Sequence, residues 1–266
     1  MDNIPEELIR EILSHNILTQ RSAFFHLETL GEQTSGARNA HLLRVCKRWL
    51  RVGTPLLYTL LWLSKPAHAT TVAELFRAHP HVGRAVRGLQ LQGGFGRELV
   101  PLARLMPNID AVCVHLEIAG KQSVTGITKA LPLFNPATLY IGVTHYRDNA
   151  KKRAVWATLR ACIAETWTTL RLVRFSDIHC ERITHELADA LAKSSAEELE
   201  CDAMNMIRWL RDDPIKRIIA APRLERVVCR GASDEETIRS ILRARSFSQT
   251  EAKKFRFVHG WQDDEV

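Results

Sequence analysis

PNIDAVCVH (Pro107–His115) and PRLERVVCR (Pro222–Arg230) share one spelling: a proline, an apolar residue two places on, then apolar residues at offsets five and seven. Proline biases the residue before it away from helix. Apolar residues two apart point to the same side of an extended chain. Each stretch therefore predicts a helix ending and a short strand beginning. Without the proline, the apolar-x-x-apolar-x-apolar frame returns at Val86–Leu89–Leu91 and Leu170–Val173–Phe175. Looser copies stand at Pro136–Leu139–Ile141, Ala196–Leu199–Cys201 and Ala252–Phe255–Phe257. The central residues fall at 89, 112, 139, 173, 199, 227 and 255, at intervals of 23 to 34 residues. That is the range of an irregular leucine-rich repeat.

Helical spacing fills the gaps. Val155, Leu159, Cys162 and Ile163 form one apolar stripe; Ile183, Leu187, Ala190 and Leu191 form another; Ile238, Ile241 and Leu242 form a third. Ser233 with Glu236, and Thr71 with Glu74, have the spacing of a capping box. Strand alternating with helix predicts an α/β fold with a parallel sheet and helices along its back. The regular period favours an open solenoid over a closed or doubly wound α/β domain. Residues 64–266 are expected to form it.

In such a solenoid the strand side chains between the buried positions share one open face. Here these are Gln90, Cys113, Tyr140, Arg174, Glu200, Val228 and Arg256, flanked by Gln92, His115, Gly142, Ser176, Asp202, Arg230 and Val258. The early copies are neutral and the later ones charged. Arg174, Glu200, Asp202, Arg230 and Arg256 are therefore the candidate target-binding residues.

Residues 1–63 read differently. Asn3 can cap a helix whose first turn holds Pro5, Glu6 and Glu7, suited to the positive helix end. Leu8, Ile9, Ile12 and Leu13 recur at helical spacing. Residues 14–40 are polar and glycine-containing, and are expected to be a long connection. LLRVCKRWLRV (Leu42–Val52) predicts a second helix. One arc holds Leu42, Leu43, Val45, Cys46, Trp49, Leu50 and Val52; the other holds Arg44, Lys47, Arg48 and Arg51. Gly53 and Pro55 are expected to end it, and Leu60, Leu61 and Trp62 to seal the junction with the solenoid. A unit of about 60 residues buries only part of so much apolar surface. The rest must face the following domain or another protein.

The 266 residues are 45% apolar, enough for a sizeable core. No apolar run approaches the roughly 20 residues of a membrane helix, and no secretory pattern is visible at the N-terminus. A soluble intracellular protein is expected. The net charge of +7 is read as a basic surface, since Lys and Arg are spread along the chain. The six cysteines include no C-x-x-C pair and are expected as buried thiols, with no metal site. Gly93-Gly94-Phe95-Gly96 lacks the further glycine or G-K-[ST] of a phosphate loop and is expected as a tight turn. His185-Glu186 lacks the second histidine of H-E-x-x-H, and no G-x-S-x-G is present. No cofactor and no enzymatic activity are expected.

IPEELIREIL (Ile4–Leu13) followed by LLRVCKRW (Leu42–Trp49) resembles the F-box, with its LP-x-E…IL opening and its later V-C-K-R-W helix. Trp62 stands near the place of the family's closing aromatic. Ile4 stands where leucine is usual, and the interval around 14–40 is longer than the common motif. The continuation through VGTPLLYTLLW and MPNIDAV is similar to the large F-box families of mushroom-type fungi, in which an irregular leucine-rich region follows. The resemblance implies a small all-helical F-box at 1–63 ahead of the solenoid. It also implies a substrate-recognition adaptor of a Skp1–cullin–F-box ubiquitin ligase, cytoplasmic or nuclear. The F-box would dock on Skp1, and through it on a cullin, while the solenoid presents a protein target. By this resemblance Pro5, Leu8, Ile12, Leu13, Val45, Cys46 and Trp49 would line or support the Skp1 contact. Helix-in-groove recognition needs such apolar anchors at helical spacing. The alternative is a basic α/β solenoid that binds nucleic acid or another protein without any ligase, its N-terminal segment serving as a packed cap.

Overall fold

The structure is a computed structural model that describes residues 4–18, 39–142, 149–176, 181–211, 214–231 and 235–258. Eight strands form one all-parallel sheet in sequence order. They are β1 (Leu60–Leu63), β2 (Gly88–Gln92), β3 (Ala111–His115), β4 (Thr138–Gly142), β5 (Leu172–Ser176), β6 (Glu198–Asp202), β7 (Arg226–Arg230) and β8 (Phe255–Val258). Parallel neighbours need a crossover, and helices supply each one. The seven predicted strand centres all fall in register: Leu89, Val112, Leu139, Val173, Leu199, Val227 and Phe255 stand side by side. They sit in one continuous core with Leu91, Val114, Ile141, Phe175, Cys201 and Cys229. Helical residues such as Phe76, Leu99, Leu159, Leu187 and Ile238 join that core, so the helices lie along one face of the sheet.

The sheet begins earlier than residue 64. Leu61 is opposite Leu89 and Leu63 opposite Leu91, so the stretch expected to seal the junction is the first strand. Its own frame, Tyr58–Leu61–Leu63, obeys the repeat spelling. Other differences have local causes. The helix Pro66–Ala78 runs through Thr71, which is therefore no cap; Pro66 opens it, where a missing N–H costs nothing. Asn149 caps Ala150–Ala161, accepting from the Lys152 N–H at 2.9 Å. Ser248 and Glu251 make a complete capping box on the short helix Gln249–Ala252. Asn3 and Ser233 lie outside the described residues, as do residues 19–38 of the expected 14–40 connection; its start, residues 14–17, is instead the last turn of the first helix, Glu6–Ile17.

Ahead of the sheet stand helix α1 (Glu6–Ile17), a 3₁₀ turn (Ala40–Arg44) and helix α2 (Lys47–Leu57). The chain breaks at Val45–Cys46, so Leu42–Val52 is not one helix. Nor does Gly53 or Pro55 stop α2. Pro55 removes only one hydrogen bond, and the helix ends two residues later. Gly53 serves close packing: a Cβ there would strike Leu43 and stand 3.1 Å from a Leu13 methyl. Ile9, Leu13, Ile17, Leu43 and Val52 form a second core of their own, with Leu42, Trp49, Leu56 and Leu57 against it. The junction then divides. Leu56 and Leu57 belong to the small core, while Tyr58 packs edge-on against Phe76 at 5.7 Å, on the sheet side.

Candidate functional site

Two surfaces draw attention, and α1 builds the first. Ile9, Leu13 and Ile17 turn inward, which leaves Leu8 and Ile12 one turn apart on the outer side. Leu8 is 54% exposed and Ile12 44%; on the facing segment Val45 is 55% and Leu50 51% exposed. Among the described residues, six of the eight exposed large hydrophobic side chains lie within the first 50 positions. Full burial of one such side chain contributes about 1.5–3 kcal/mol, so each half-exposed residue leaves roughly half of that unrealised. Pro5 and Cys46 are exposed too. Leu13 is wholly buried and Trp49 is half-buried against the same core, so these two support the surface rather than form it. Leu50 lies on the apolar arc by periodicity, yet the helix Lys47–Leu57 leaves it half exposed. Arg48 and Arg51, on the charged arc, pair with Glu6 on α1, Arg48 at 3.7 Å; Arg51 stays exposed and Arg48 is half-buried.

The second surface is the sheet face away from the helices. The expected row is there in register: Gln90, Cys113, Tyr140, Arg174, Glu200, Val228 and Arg256. It is not the open row expected from the sequence. Gln90 through Val228 are all buried, and only Arg256 is exposed. Strands 4.8 Å apart bring large side chains at equivalent positions into contact with one another. Arg174 lies over the Tyr140 ring at 5.8 Å and meets Glu200 at 3.2 Å, while Arg230 grips the same Glu200 carboxylate from the other side. Asp202 stands opposite Arg230 and is half-buried. One row down, Arg226 pairs with Glu198 at 2.8 Å. Burial is the main influence on Glu198 and raises its carboxyl, with the arginine opposing. Arg174, Glu200 and Arg230 are thus committed to each other across β5, β6 and β7, and Arg256 is the candidate of this group that a partner could reach directly.

The neutral end of the face holds a polar cluster. The Gln90 side-chain amide donates to His115 Nε2 at 2.8 Å, and the Cys113 thiol approaches the same nitrogen at 3.4 Å. A cysteine beside a histidine invites a nucleophile reading. Burial opposes it: the Cys113 thiol is pushed up, and the His115 imidazole is pushed down to about 4, with Glu117 opposing weakly. Both groups are therefore neutral near pH 7, and no thiolate is poised to react. Cys162 and Cys229 are likewise pushed up to about 12 by burial.

The glycine loop after β2 is filled by its own chain. Gly93 has φ of 88°. The Gly96 N–H donates to the Glu98 carboxylate at 2.6 Å, and the Gly126 N–H donates to the Phe95 carbonyl at 3.0 Å. A carboxylate already stands where a phosphate would go. A cleft of about 500 Å³ opens beyond β3, lined by Glu117, Gln122, Asn149 and Lys152. Its amides serve the backbone: Asn149 donates to the Ile118 carbonyl at 2.8 Å, and Gln122 accepts from the Ala119 N–H at 2.8 Å. Among the described residues no three His, Cys, Asp or Glu side chains gather as a metal site, and no helix is long and apolar enough to cross a membrane. No family model, no curated protein and no solved structure matches the chain.

Proposed function

We propose that the chain is a substrate adaptor of a Skp1–cullin–F-box ubiquitin ligase. Its N-terminal helical unit is the F-box and docks on Skp1; its parallel-sheet solenoid presents a protein target. The observation that carries this reading is the exposed apolar set Leu8, Ile12, Val45 and Leu50 on a unit that already has a core of its own. Exposed apolar side chains concentrated on one small unit that has its own core fit a surface that a partner covers. The two roles divide between residues. Leu13, supported by Trp49, holds the unit together, while Pro5, Leu8, Ile12, Val45 and Cys46 meet the partner.

Co-expression with Skp1 tests it. Leu8→Asp with Val45→Asp adds charge to exposed positions, so the fold is retained. The expected result is loss of Skp1 co-purification with an unchanged circular dichroism spectrum. Skp1 retained by the double variant, or never bound by the wild type, overturns the reading.

A further inference from the structure

The charge excess of the chain is not evenly spread. Residues 214–258 hold 11 Lys and Arg against 5 Asp and Glu, residues 1–213 hold 26 against 22, and residues 259–266 hold three acidic residues and no Lys or Arg. The fold gathers part of that excess into one corner, at the N-terminal ends of β7 and β8. The Lys254 ammonium donates to the Ile219 carbonyl at 2.6 Å, which ties the turn before β8 to the turn before β7. The Val227 N–H donates to the Lys254 carbonyl at 2.9 Å, and Val227 stands opposite Phe255. Arg223, Arg226, Lys253 and Lys254 are thereby brought together, and Arg256 extends the group along the sheet face opposite Val228. Arg226 is satisfied by Glu198. Arg223, Lys253 and Arg256 are exposed, and among the described residues none of them has an ion pair.

We infer that this corner is a docking surface for an acidic segment of another protein. As the target surface of an adaptor it rests on the function proposed above; as a binding surface it does not. Charge alone would also suit nucleic acid, but two further features favour a protein. Exposed Glu225 and half-buried Glu251, the latter engaged with Ser248, sit near these cations and would repel a continuous phosphate chain. A peptide with spaced carboxylates can avoid them. Among the described residues, Phe257 and Phe247 are already covered, by Arg239 at 4.9 Å and by Lys216 at 5.8 Å, rather than open to stack on bases.

The test is fluorescence anisotropy on the full chain with a labelled short Glu-rich peptide and, separately, a labelled short single-stranded RNA, at about 50 and about 200 mM salt. The peptide is expected to bind, and more weakly at the higher salt. Arg223→Glu, Lys253→Glu and Arg256→Glu together are expected to weaken it by at least about tenfold. Reversing Arg77, Lys121 and Lys129, exposed cations elsewhere, should leave it unchanged. If the triple reversal melts early, the glutamine triple at the same sites replaces it. Absence of peptide binding, an equal loss in the distant control, or RNA bound more tightly than peptide overturns the inference. Skp1 co-purification of the triple variant, expected to be unaffected, separates failure here from failure of the adaptor reading.

Discussion

His115 sits wholly inside the sheet face, its Nε2 met by Gln90 and Cys113, while Nδ1 finds no partner among the described residues. The physical consequence is a pH dependence of stability. Folding lowers the imidazole from 6.5 to about 4, so in between the unfolded chain binds a proton that the folded chain refuses. Stability contributed by this residue is therefore complete above pH 6.5 and falls as pH drops toward 4, by up to about 3 kcal/mol. Urea midpoints measured at several pH values should show that decline, and His115→Gln should flatten it; equal slopes in both proteins would refute the assignment. Arg174 and Glu200 teach the same lesson about charge. Their strand positions were readable from spacing, but not their burial. An arginine in a strand pattern looks like a surface residue until its neighbour in space is known to be a glutamate 26 positions later in the chain.

At the scale of elements, periodicity located the strands better than the helix ends. The strand frame repeats seven times, and each copy corrects the reading of the others. A helix end is decided once, by capping and packing. LLRVCKRWLRV carries a helical arc, yet the chain breaks at Val45–Cys46, and α2 continues through Gly53 and Pro55 because close contact with Leu43 and Leu13 rewards it. That contact yields a prediction. Gly53→Val forces side-chain volume into the seam between α1 and α2, and overpacking of this kind typically costs about 1–3 kcal/mol. Trp49, which packs on this small core, should report the loss as an earlier fluorescence transition. An unshifted transition would mean that the seam has room to spare. β1 was missed for a different reason. Tyr58–Leu61–Leu63 fits the repeat, but it lies inside an apolar stretch that also suited a helix-to-solenoid joint, and spacing alone does not rank the two.

At the scale of the molecule, the described residues hold two main cores in series, with a small cluster of Ala111, Cys113 and Tyr140 on the sheet face away from the helices. The larger follows the sheet from end to end, and each strand touches only its neighbours, so stability is approximately a sum of repeat and interface contributions. Leu139→Ala, in the middle strand β4, should cost about 2–5 kcal/mol. Hydrogen exchange should show the loss in β3 to β5 and leave Glu6–Ile17 protected as before; uniform loss would show a single cooperative unit instead. By itself the sequence determined the alternation of strand and helix, the parallel order and the register of seven strands. Those depend on local spacing repeated often enough to be unambiguous. Only the tertiary structure decided which polar side chains were spent on one another and which apolar ones were left outside. Arg174, Glu200 and Arg230 closed part of the face expected to be open, Leu13 went inward, and Leu8, Val45 and Leu50 stayed out. Burial depends on what folds against a residue, and that partner is distant in the chain.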